Sequence, residues 1–221
     1  MTDTPDLVTL TDPQSPAAEA YRTLRMNLQF AALDSDLRTL LVTSPGPGEG
    51  KTTTLANLAV TMAQIDQRII VADCDLRKPY LHRLFDVSNE LGLTTMLLED
   101  DALANPPLQE TAVTGLSVLP SGPLPPRPAD LLGSKRMLKV IDELCKEADV
   151  VLFDAPPVMA VTDAAVLATR LDGVLLVVSA GETKREHASD ALERLRKINA
   201  NIVGAVLNNA AIEPSLAGYY R

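Results

Sequence analysis

Six short apolar runs recur along the chain: TLLVTS (39–44), RIIVAD (68–73), LSVLP (116–120), DVVLFD (149–154), GVLLVVS (173–179) and NIVGAVLN (201–208). Polar residues do not alternate within them, which is the pattern of strands buried on both faces, and helical patterns separate them. The arrangement predicts an α/β fold, a doubly wound and mainly parallel sheet flanked by helices, formed by a single domain over 1–221. The proline-dense LPSGPLPPRPADLLGS (119–134) lies between a predicted strand and a helical pattern, so it reads as a stiff connecting loop. Near the N-terminus SPAAEAYRTLRMNLQF (15–30) has helical periodicity. There Ala17, Ala20, Tyr21, Leu24, Leu28 and Ala31 share one face, while Glu19, Arg22 and Arg25 lie on the side facing away. Read from the residues alone, those charges form a solvated face with an i,i+3 ion pair worth about 0.2–0.5 kcal/mol.

Composition narrows the classes. With 46% hydrophobic residues over 221 positions, the chain can bury a large core. Its net charge of −9 opposes polyphosphate backbones, so nucleic acid is not expected as a partner. Cys74 and Cys145 have no metal or redox spacing, and His82 and His187 stand alone. No basic leader opens the sequence and no apolar run reaches the length of a membrane span. A cytoplasmic protein is expected, with any membrane association supplied by a partner.

The chemistry concentrates in SPGPGEGKTTT (44–54), between the first predicted strand and a helical pattern. Gly46, Gly48 and Gly50 leave room for backbone N–H groups to curl around an anion, as in a phosphate-binding loop. Pro45 stands where the strict motif has glycine. Lys51 would reach the β- and γ-phosphates of ATP, and the Thr52 hydroxyl would ligate Mg²⁺. The loop residues Gly46, Pro47, Gly48, Glu49, Gly50, Lys51, Thr52 and Thr53 are therefore the expected nucleotide-binding set. Asp73 and Asp75 end the second strand two residues apart, pointing to one face while Cys74 points to the other. Asp154 closes the run VVLF. In an open parallel sheet the carboxyl ends of strands face the ligand, so Asp73, Asp75 and Asp154 should converge on Lys51 and Thr52. Asn208 and Asn209 follow the last strand as candidate readers of the base, with Asn209 equally suited to forming a turn.

The loop SPGPGEGKTTT, the second-strand motif VADCDLRKP and the third motif VVLFDAPPV resemble the Walker-type A, A′ and B motifs of the bacterial tyrosine kinases that control capsular and exopolysaccharide synthesis. The resemblance extends to 15–30, 119–132 and 161–168, nearly the whole chain. It implies a P-loop architecture like that of the partition ATPases and an ATP- and Mg²⁺-dependent protein-tyrosine kinase, with Lys51, Asp73, Asp75 and Asp154 as the catalytic group. Thr52, Asp73 and Asp154 would hold the metal. In this family the spacing of Glu19, Arg22 and Arg25 marks a self-association helix (about 15–33) that pairs subunits around a ring. A C-terminal tail (about 210–221) carries the phosphoacceptors, here reduced to Tyr219 and Tyr220. The resemblance also implies a transmembrane activator of the polysaccharide co-polymerase type, protein-tyrosine substrates, and a place at the inner face of the membrane through that partner. Two alternatives compete: a partition or septum-site ATPase switch, and a catalytically weak nucleotide-binding adaptor of polysaccharide export. The switch proteins carry a signature lysine at the position of Gly46, which this chain lacks.

Overall fold

The computed structural model describes residues 7–31 and 37–211. All six apolar runs form strands: β1 (Thr39–Thr43), β2 (Ile69–Asp73), β4 (Leu116–Leu119), β5 (Val150–Asp154), β6 (Gly173–Ser179) and β7 (Ile202–Asn208). A further strand, β3 (Gln109–Glu110), is two residues long and too short to leave a periodic signal. The sheet order is β3-β4-β2-β5-β1-β6-β7, parallel except for β3 against β4.

Strand parity sorts the core into two layers. Leu40, Val42, Val71, Leu152 and Leu175 pack beneath α1 (Val8–Thr11), α2 (Pro16–Ala31), α3 (Lys51–Ala63) and α4 (Leu81–Leu84). Leu41, Ala72, Val151, Phe153 and Leu176 face α5 (Leu93–Leu98), α6 (Asp100–Ala104), α7 (Pro128–Leu132), α8 (Lys135–Glu147), α9 (Asp163–Ala168) and α10 (Arg185–Lys197). Burying each such aliphatic side chain is worth about 1.5–3 kcal/mol, which is why nearly uninterrupted apolar strands suit a sheet covered on both sides. The link from β2 to β4 departs from a single crossover helix: three short helices and β3 fill it.

The N-terminal helix is rotated from its expected setting. Ala18 and Leu28 are buried, Tyr21 and Leu24 are half-buried, and Ala17, Ala20 and Ala31 are exposed. Arg25 does not face away: its Nη1 donates to the Thr61 carbonyl of α3 at 2.6 Å. Arg22 bonds Glu19 Oε2 at 2.8 Å and the Pro13 carbonyl at 2.6 Å. The physical reason is that alanine packs or faces water with little difference in free energy, so the contact with α3 sets the rotation. Tyr219 and Tyr220 lie outside the described residues. Among the described residues no helix is long and apolar enough to cross a membrane.

Candidate active site

The segment from Ser44 to Gly50 joins β1 to α3, and its left-handed positions are Gly48 (φ 80) and Gly50 (φ 84). Pro45 is therefore not at a position that demands glycine, since positive φ is needed three and five residues later. No side chain caps the N-terminus of α3. Its first-turn amides and the positive end of its dipole are thus suited to a phosphate. Glu49, expected among the nucleotide-binding residues, turns inward: its Oε1 accepts from Gly46 N at 3.1 Å, and Oε2 is buried without a hydrogen-bond partner. Burial pushes the Glu49 carboxyl up, with the Thr183 hydroxyl and Gly46 amide offsetting part of the rise. Pro47, Gly48 and Thr53 are exposed along the loop and first turn.

Sheet order sets the three carboxylates around this loop. β5 lies between β1 and β2, and Asp73 pairs in register with Asp154. Both residues share the parity of Val71 and Leu152, so both side chains point to the face that α3 covers. Lys51 Nζ lies 3.3 Å from Asp154 Oδ1 and 3.3 Å from Asp75 Oδ2, while Thr52 Oγ1 donates to Asp154 Oδ2 at 2.7 Å. Although β2 ends at Asp73, the following turn returns Asp75 to the lysine, and Cys74 enters the opposite core layer. Asp73 has a second task. Its Oδ2 accepts from the Tyr80 and Leu81 amides at 2.9 and 3.0 Å, and its Oδ1 from the Asp75 amide at 3.2 Å.

These groups are buried, and their proton affinities show it. Desolvation, then the charge of Asp154, raises the Asp73 carboxyl to about 7 despite the Leu81 and Tyr80 amides. Burial also raises Asp154, against the pull of Lys51 and Thr52. Desolvation lowers the Lys51 ammonium, but Asp154, Asp75 and Asp73 together outweigh it and leave the group raised. A cation is therefore already drawn into the space between the carboxylates: the ammonium of Lys51 occupies it. The Asp154 and Asp75 carboxylates and the Thr52 hydroxyl around it are hard oxygens of the kind that Mg²⁺ takes.

Two further contacts brace the site. Arg77 Nε and Nη2 donate to Asp163 Oδ2 and Oδ1 at 2.9 and 3.1 Å, and the Asp163 side chain is fully buried. Neither residue stood out in the sequence, although both belong to quoted motifs; only the fold pairs them across 86 positions. Asn208 Nδ2 donates to the Glu49 carbonyl at 3.0 Å, so its amide group holds the loop. Asn209 has φ 57 and donates to Ser179 Oγ at 3.0 Å, a turn setting at the ends of β6 and β7.

Residues 38–209 match a family model described as an AAA domain. The chain is 42% identical to the tyrosine-protein kinase YwqD of Bacillus subtilis (strain 168), over 97% of this chain and 91% of that protein. The kinase domain of Escherichia coli tyrosine kinase ETK superposes with a TM-score of 0.89 at 36% identity, covering 97% of this chain and 84% of that one. The septum site-determining protein MinD of Pyrococcus horikoshii OT3 superposes at 0.66 with 22% identity, covering 83% and 76%, and shares the fold alone. With a phosphate loop, three converging carboxylates and likeness along its whole length, the chain belongs to the bacterial tyrosine-kinase family of capsule and exopolysaccharide biosynthesis.

Proposed function

We propose that this ATP-dependent tyrosine autokinase transfers the γ-phosphoryl group to Tyr219 and Tyr220 of a neighbouring subunit, within an assembly formed through the helix of Glu19, Arg22 and Arg25. One observation carries the reading: the Lys51 ammonium lies between Asp75 and Asp154, beside the Thr52 hydroxyl, at the uncapped start of α3 after the left-handed turns of Gly48 and Gly50. The site is built to balance charge and position groups, which is most of what phosphoryl transfer needs from a protein.

In this reading the amides of Gly48 to Thr52 and the Lys51 ammonium hold the phosphates, since Pro47 has no N–H and the Gly46 amide is taken by Glu49. Thr52 and Asp73 would hold Mg²⁺, with Asp154 as a further direct or water-mediated ligand. Bound Mg²⁺ would neutralise charge on the phosphate oxygens as the bond to ADP breaks. Asp75 orients the acceptor phenol and takes its proton late, as the new O–P bond forms. A carboxylate is a far weaker base than a phenolate, so the proton leaves the phenol only as the new bond forms. Asn208 and Asn209 stand near the loop for the base, Asn208 through the Oδ1 that its bond to Glu49 does not use. A transmembrane activator of the co-polymerase type would place the chain at the inner face of the membrane.

The experiment mixes a Lys51→Met protein that keeps its tail with an active protein carrying Tyr219→Phe and Tyr220→Phe. Tail phosphate on the Lys51→Met partner is the expected result. Its absence, when wild type alone labels its tail, overturns transfer between subunits. If wild type with Mg²⁺ and ATP gives no phosphotyrosine even with a co-polymerase-type cytoplasmic segment present, the adaptor alternative replaces it.

A further inference from the structure

We infer that Arg77 and Asp163 form a positioning clamp that sets the place of Asp75, and thereby the rate of transfer to the acceptor phenol. The inference rests on the reading that Asp75 faces that phenol.

Asp75 lies beyond the end of β2, where no strand ladder holds its backbone. Its Oδ1 accepts from the amides of Lys78, at 3.0 Å, and Arg77, at 3.4 Å, so its rotamer depends on where residues 77–78 lie. Those residues are otherwise exposed. Asp73 holds the two ends of this turn through the Asp75, Tyr80 and Leu81 amides, and between them residues 77–78 are tied down by the Arg77 side chain, which crosses to Asp163, the first residue of α9. The pairing is bidentate, with two parallel N–H···O bonds, and a planar fork of this kind fixes direction as well as distance.

The alternative is that Asp163 serves only its own helix, as acidic residues in a first turn commonly do. Its geometry opposes that. The N-cap position belongs to Thr162, no side chain caps the helix, and both Asp163 oxygens take guanidinium N–H groups. A fully buried carboxylate is costly unless paired, so the pair holds together the turn after β2 and the segment after β5 that follows Asp154. Both carboxylate-bearing turns are thereby referred to one another. The groups proposed to hold Mg²⁺-nucleotide, Lys51, Thr52, Asp73 and Asp154, stand at the start of α3 and the ends of β2 and β5 and not on the clamp, so nucleotide affinity should survive its loss.

The test uses the full chain, an exogenous tyrosine peptide as acceptor, and three clamp variants: Arg77→Lys, Asp163→Asn, and the paired Arg77→Met/Asp163→Leu. The paired change removes both charges, which keeps the protein folded if a buried single charge proves too destabilising. Expected are a fall in kcat of about 10–100-fold, the scale of a 1 Å misplacement, with KM for ATP and Mg²⁺-ADP affinity within about threefold of wild type. In an Asp75→Asn background the same clamp changes should cost less than about twofold more. A folded clamp variant that keeps wild-type kcat, or one whose loss simply multiplies with that of Asp75→Asn, overturns the clamp. Wild-type turnover by Asp75→Asn alone would instead overturn the role of Asp75, and the clamp with it. The first pattern spares Asp75 and the second does not, so the two failures are told apart.

Discussion

At the scale of single residues, the site holds three carboxylates against one ammonium, and this imbalance predicts how it responds to pH. Asp73 has its carboxyl raised to about 7 in the fold, against 3.8 for an ordinary aspartate. Between those values the folded state keeps a proton that the unfolded state has released. Its contribution to stability is therefore greatest at low pH and falls as pH rises through that window. Thermal denaturation without nucleotide or Mg²⁺ should show a loss of stability from pH 5 to pH 8 that Asp73→Asn flattens; an unchanged slope would remove the burial argument. The same variant should bind Mg²⁺-nucleotide more weakly. Lys51→Met should abolish phosphorylation, lowering kcat by at least about 10³-fold, because nothing else in the loop compensates phosphate charge. It should also destabilise the nucleotide-free protein by on the order of 1–3 kcal/mol at pH 8, since Asp154 loses its cation. That difference should narrow toward low pH as Asp73 and Asp154, both raised by burial, take up protons.

At the scale of elements, α2 is bound to the rest of the fold through Arg25 as well as through Ala18 and Leu28. The three charged residues of that helix are thus not equivalent. Arg25→Ala removes a charged donor from the Thr61 carbonyl and should cost about 1–2 kcal/mol in a urea titration. Glu19→Ala breaks a half-exposed i,i+3 pair and should cost less than about 0.5 kcal/mol. If the helix carries the proposed assembly, Glu19→Ala and Arg22→Ala should lower the mass seen by light scattering while leaving the urea midpoint nearly unchanged. A wild type that stays monomeric at all concentrations, with nucleotide and activator present, would leave these charges with the solvated reading.

At the scale of the whole molecule, the phosphate loop is closed from the far end of the chain. Asn208 at the end of β7 holds the Glu49 carbonyl across 159 positions, and its Nδ2 sits 2.1 Å from where a Cβ on Gly50 would fall. With φ 84 at Gly50 as well, Gly50→Ala is both strained and obstructed. It should abolish nucleotide binding, read by titration with a fluorescent ATP analogue. Asn208→Ala, which releases the loop without blocking it, should weaken affinity about 3–10-fold, the value of one neutral hydrogen bond. Equal affinities for Asn208→Ala and wild type would show that β7 does not brace the loop.

The strands and the phosphate loop were legible in the sequence because their causes are local. Strands buried on both faces must be apolar throughout, and a loop that turns amides toward an anion needs glycine at its left-handed positions, Gly48 and Gly50. Asp73 and Asp154 were legible for the same reason, standing at the ends of such runs. The partners of these groups were not. Glu49 turning inward, Asn208 on the loop, Arg25 on Thr61 and Arg77 on Asp163 are contacts between segments distant in sequence. One residue step turns a helix by about 100°, and an alanine-rich face such as that of α2 does not choose among neighbouring rotations. Only packing on α3 selects one. The chain alone therefore determined where the phosphate loop and the strand-end carboxylates stand, through backbone and solvation demands felt within a few residues. The order β2-β5-β1 decided which of them meet, because long-range pairing depends on which strand lies beside which.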